Sequence, residues 1–222
     1  MDLDGEHGRA GAAMTGGHPA TNQSRAVARA QRLEYFTIVW NSLEGLIALL
    51  AGFLAASVAL VGFGFDSVIE VSSGLALLWR LHHGERAERA TLRIVGACFV
   101  VLALYVAYDS VHALWSREAP HASLAGIALT AVSLVVMRLL ARAKRQAAVS
   151  LGSGAMRADA RQSEFCMYLS AIVLGGLLLN ALLGWWWADP LAGLVMVPII
   201  GKEGIDALQG KACCGGDGCH GR

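Results

Sequence analysis

Six apolar segments, each about as long as a bilayer is thick, leave this chain few folds to choose from. They lie near 34–56, 57–81, 92–115, 122–141, 160–184 and 187–208, and a helix needs about 20 apolar residues to cross the hydrocarbon core. In lipid each spanning backbone must satisfy its own N–H and C=O groups, which helices do within one segment. The expected fold is all-α: an integral membrane protein with six transmembrane helices in one bundle.

Composition agrees. Of 222 residues 55% are hydrophobic and 16% charged, against about 25% charged in soluble domains; the mean hydropathy is +0.51. A formal net charge of +1 argues against nucleic acid as a partner. Six Trp and 26 Gly suit a helical membrane protein, where Gly is frequent and Trp gathers at interfaces. The first two segments meet at a very short Ala/Ser turn, as an antiparallel hairpin would. GWWWADP (184–190) separates the last two. Its tryptophans read as an interfacial belt, with Asp189 as helix cap and Pro190 at the first helical position.

Residues 1–32 read as a disordered cytoplasmic tail that turns helical near Ser24, without the apolar stretch of a signal peptide. Residues 33–209 form the transmembrane domain, and 210–222 a Gly/Cys/His tail. Arg9, Arg25, Arg29 and Arg32 precede the first span; Arg86, Arg89 and Arg93 follow the second; a third basic group surrounds ARAKRQ and GAMRADAR. The opposite side holds only Arg117. By the positive-inside rule both termini are cytoplasmic.

Against this apolar background the ionisable residues stand out: Glu44, Asp66, Glu70, Asp109, His112, Asp159 and Glu164. A charge at mid-bilayer costs roughly 2.5–3.5 kcal/mol on insertion scales, so acids kept there tend to mark ion pathways. Asp66 and Glu70, in FDSVIEVSSG, share one helix face one turn apart and have no basic neighbour before Arg80. Such a pair supplies half of a tetrahedral divalent-cation site. The fifth span offers the rest in ADARQSEFC, where Asp159, Gln162 and Cys166 recur at helical spacing. Asp159 and Glu164 also stand beside Arg157 and Arg161, where an ion pair or water serves equally well. A thiolate among carboxylates suits zinc better than magnesium or calcium, and Cys166 alone would otherwise read as a small buried hydrophobe.

The chain resembles the cation diffusion facilitators, membrane exporters of zinc and related metals in exchange for protons. That family's second span reads S-x-A-L, a few small residues, then H/D-S-x-x-D. SVALVGFGFDSVIE (57–70) has the same spacing, with Asp66 and Glu70 on the two ligand positions. The family's fifth span reads A-D-A-x-H-x-x-x-D; here Gln162 and Cys166 stand at the His and Asp positions. Asp189-Pro190 and KEGIDAL (202–208) resemble the family's sixth span. The resemblance covers about 33–208 and implies a transporter in a bacterial inner membrane. Few residues follow the sixth span, so the expectation is a short form without the family's cytoplasmic domain.

Asp66 and Glu70 are then the core ligands, completed by Cys166, Gln162 or Asp159. Metal is the cargo, with no permanent cofactor; protons, lipid and a homodimer are the other partners expected. No nucleophile–base pair supports an enzyme, and a non-transporting metal-binding or regulatory protein is the alternative. Asn41 and Glu44 share a face and either line the same cavity or hold the bundle by hydrogen bonds. Asp109 and His112, one turn apart toward the outer end of the third span, read either as an interfacial pair or as a proton or metal exit site, and Cys98 reads as packing. Cys213, Cys214, Cys219 and His220 read either as an accessory soft-metal donor set or as a disordered tail whose cysteines stay reduced, and His82 and His83 read as solvated loop residues.

Overall fold

A computed structural model describes residues 19–83, 88–117, 119–152 and 154–209. The four tail residues Cys213, Cys214, Cys219 and His220 lie outside the described residues, as do the side chains of His82 and His83. The described chain forms six helices: α1 (Pro19–Ala55), α2 (Val58–His83), α3 (Glu88–Ser116), α4 (Leu124–Leu151), α5 (Gly154–Leu183) and α6 (Ala188–Leu208). All six expected spans lie on these helices to within two residues. Helices run further than the expected spans: α1 starts at Pro19, five residues before the helical turn expected near Ser24, α4 continues through ARAKRQ, and α5 starts at Gly154.

Five helices are long and apolar enough to cross a membrane. The sixth has 21 residues, about 31 Å at 1.5 Å per residue, and carries Asp189 near one end and Lys202, Glu203 and Asp206 near the other. The bundle is apolar outside as well as inside. Trp115 is 89% exposed, Leu54 83% and Leu124 79%, which would be costly in water and is what a lipid solvent requires. The chain is an integral, multi-pass membrane protein.

The helices pair as α1 with α2, α3 with α6 and α4 with α5. α2 touches α1, α3, α5 and α6, so it lies at the centre. Phe63, Val106, Met137, Leu169, Leu177 and Met196 are fully buried between them. α3 and α6 come close where glycines face each other: a Cβ on Gly204 would sit 3.0 Å from the Gly96 carbonyl oxygen. Cys98, expected to pack, is instead exposed on α3.

The α1–α2 turn needs only Ala56 and Ser57, with Ala56 at φ 50. Ser57 Oγ accepts from the Leu60 N–H at 3.1 Å and donates to Asp189 Oδ1 at 2.5 Å. Asp189 Oδ2 lies 3.5 Å from the Ala59 nitrogen. The expected cap role of Asp189 on its own helix is therefore corrected. α6 begins one residue earlier, at Ala188, and the carboxylate reaches across to the free N–H groups that open α2. Pro190 falls third in α6, still within the first turn, where its missing N–H has no helical partner to lose. Trp185 and Trp187 stack at 5.0 Å in the turn before it.

Candidate functional site

In a bundle bathed in lipid, burial no longer distinguishes apolar from polar residues, and the inward stripe of a helix can be polar. On α1 the buried positions include Ala30, Glu34, Thr37, Asn41, Glu44 and Ala48, spaced three or four apart so that they share a face. On α4 the stripe runs through Thr130, Ser133, Met137, Leu140, Lys144 and Ala147. On α2 it contains Asp66, Ser67 and Glu70; on α5, Asp159, Ser163, Cys166 and Ser170. These four faces enclose a polar column.

Asp66 and Glu70 lie at its centre, 6% and 1% exposed. Ser163 Oγ of α5 donates to Glu70 Oε1 at 3.0 Å, and Glu70 Oε2 is buried without a hydrogen-bond partner. The Cys166 thiol, 1% exposed, lies beside both carboxyls. Three of the five expected site residues are therefore brought together. Among the described residues, no three His, Cys, Asp or Glu side chains converge tightly enough to hold an ion. No basic side chain among the described residues ion-pairs with Asp66, Glu70 or Glu44.

Gln162 occupies the margin. Its Oε1 accepts from Ser73 Oγ at 3.1 Å, while Nε2 is buried and unpartnered. It lines a narrow cleft with Asp66, Phe165 and Glu203, so it looks toward Asp66 from the α6 side. Glu44 is 1% exposed; its Oε2 accepts from Ser67 Oγ at 3.4 Å and its Oε1 has no partner. Asn41 is buried with both amide atoms unpartnered. Both line the column beside the site, and no interhelical hydrogen bond of Asn41 is formed.

Asp159 is placed elsewhere. Its Oδ2 lies 2.6 Å from Lys144 Nζ, and the same ammonium lies 3.5 Å from Glu34 Oε1. Lys144 and Glu34 are both 0% exposed. Neither was singled out from the sequence, because Lys144 read as one of several cations in a loop. The register of α4 was the available signal: Lys144 falls on the stripe of Met137, Leu140 and Ala147. Glu164 pairs with Arg145 on the surface. Asp109 and His112 do not join the site; His112 stacks on Tyr108 at 6.1 Å and is exposed.

The chain has relatives among known proteins. Residues 35–209 match the family model described as the cation efflux transmembrane domain. The cation-efflux pump FieF of Shewanella oneidensis is 28% identical over 131 residues, 57% of this chain and 42% of that protein. Uncharacterized transporters of Methanocaldococcus jannaschii and Synechocystis sp. are 25% and 26% identical, over 79% and 64% of this chain and 69% and 49% of theirs. The chain thus spans between two fifths and about two thirds of these relatives. With the match running from the start of the first span to the end of the sixth, and the paired acids of α2 inside it, the chain belongs to the cation efflux family of membrane transporters rather than to any family of enzymes.

Proposed function

We propose that this protein exports a divalent metal cation, zinc or a similarly borderline-soft ion, from the cytoplasm of a bacterial cell in exchange for protons. The observation that carries this is the buried pair Asp66 and Glu70 with Cys166 beside both carboxyls and no ion-paired cation among them. Carboxylates and a thiolate give a mixed O/S donor set, which favours zinc or cadmium over magnesium or calcium. Gln162 contributes its carbonyl oxygen if it leaves Ser73, or orients Asp66 from the cleft. Glu44 is a third acid at the site and holds a proton or shapes the field there.

Exchange follows from competition. Metal and proton use the same lone pairs, so binding a cation releases protons and reprotonation expels it. The excess of Arg and Lys near the termini supports cytoplasmic termini, and export then means entry from that side. The match to FieF, whose name is that of a cation-efflux pump, points the same way.

The test is zinc uptake into everted membrane vesicles with an imposed pH gradient. Zinc should accumulate when the interior is acid and stop when the gradient is collapsed. Accumulation indifferent to the gradient would remove the proton exchange, and no accumulation under either condition would favour a metal-binding protein that does not transport.

A further inference from the structure

The column of acids does not end at Glu70. One turn further along α2, Glu34 Oε2 comes 3.6 Å from where a Cβ on Gly74 would sit, a rise of about 6 Å. Here Glu34 from α1 and Asp159 from α5 close on the ammonium of Lys144 from α4, at 3.5 and 2.6 Å. Three helices thus meet at a single positive charge with no exposed surface. Both Glu34 oxygens, Asp159 Oδ2 and Lys144 Nζ are buried without a hydrogen bond of good geometry, so ion pairing alone holds the cluster and its carboxylates keep spare acceptor capacity.

Two buried carboxylates from neighbouring helices are the same donor type as Asp66 and Glu70. What differs is that a cation is already there, on a four-carbon stem. Left without it, Glu34 and Asp159 would attract the cation the protein carries, one turn from the site where it must bind and be released. We propose that Lys144 is a tethered cation that fills a second carboxylate site, Glu34 and Asp159, and so confines the mobile divalent cation to Asp66, Glu70 and Cys166. Lys144 is in this sense a positioning residue: it decides where in the column the cargo can rest. The proposal rests on the transport reading above, but its test does not depend on flux.

Manganese is the probe, because it prefers oxygen donors and discriminates against thiols. The purified full-length protein and its variants are titrated with Mn²⁺, and bound metal per chain and thermal midpoint are read together. Lys144→Met should bind one more Mn²⁺ per chain than the wild type, and its midpoint, low in chelator, should rise steeply with added Mn²⁺. Lys144→Arg should keep the wild-type stoichiometry, and so should Lys144→Met/Asp159→Asn, which lacks half of the vacated site. If Lys144→Met folds only with Mn²⁺ present, the proposal is equally supported. Wild-type stoichiometry in Lys144→Met at saturating Mn²⁺ would overturn it. So would failure of Lys144→Met to fold with or without Mn²⁺, together with no extra Mn²⁺ on Lys144→Gln. None of these results bears on Asp66, whose role fails separately if Asp66→Asn carries zinc normally.

Discussion

Two groups of buried acids sit one helical turn apart in this bundle, and they meet the cost of burial in opposite ways. Glu34 and Asp159 have an internal ammonium; Asp66 and Glu70 have a serine hydroxyl, a thiol and no basic partner among the described residues. The first arrangement carries its own counter-charge, although Glu34 Oε2 keeps no hydrogen-bond partner. The second leaves Glu70 Oε2 without a hydrogen-bond partner, as the proposed transport reading would have it for a site that takes up a cation or a proton. Burial of a carboxylate in a membrane therefore does not by itself identify a transport site. The partner that the acid has, or lacks, decides.

The comparison can be broken by exchanging what the two groups possess, and the largest effect is expected on stability. Lys144→Met leaves two carboxylates buried without a counter-charge and should destabilise the fold by about 3–5 kcal/mol, as breaking a buried ion pair does. The neutral set Glu34→Gln/Lys144→Met/Asp159→Asn should recover most of that loss, because no uncompensated charge remains. Thermal or chemical unfolding in detergent measures both. Equal stability of the single and triple variants would mean that the ion cluster is not formed.

A second exchange concerns the donors. Cys166→Ala should weaken zinc and cadmium binding by at least the roughly 10–100-fold that loss of an outer-shell partner costs. Cys166→Asp should instead shift the preference toward manganese, since harder donors favour harder ions. Competition among the three metals on wild type and both variants reads this out. An unchanged ranking in all three proteins would make Cys166 a packing residue.

A smaller effect is expected at Ser163, which supports Glu70 without meeting the metal. Ser163→Ala removes one hydrogen bond to a carboxylate, about 1.5 kcal/mol at the low end for a charged acceptor, so zinc affinity should change by roughly tenfold while the metal ranking stays as in the wild type. A changed ranking would place Ser163 among the ligands.

How much of this was legible in the sequence depended on where the partner of each residue lies. The spans were readable because 20 apolar residues in a row have one use. Asp66 and Glu70 were readable because both members of the pair lie on one helix, and Cys166 because it shares a face with its neighbours on α5. Asp159 is different: its partner Lys144 stands on another helix among Arg142, Arg145 and other cations, and charge density there suggests a solvated loop. Only the three-and-four spacing through Met137, Leu140 and Ala147 shows that one of those cations points inward. Asp189 escaped for a similar reason. Its position beside Pro190 suggests a cap for its own helix, whereas the N–H groups it serves belong to α2, some 130 residues earlier.

The central claim is that the unpaired acids carry the cation and the paired ones do not. Zinc flux in sealed proteoliposomes, measured side by side for Asp66→Asn, Glu70→Gln and the neutral triple variant of the ion cluster, tests it most directly. The expected result is flux at the level of empty liposomes for Asp66→Asn and Glu70→Gln, with at least about a tenth of wild-type flux in the triple variant, a change of no more than about 1.4 kcal/mol in the barrier. Normal flux in Asp66→Asn or Glu70→Gln, with flux abolished in a well-folded triple variant, would contradict the account and move the transport site to Glu34 and Asp159.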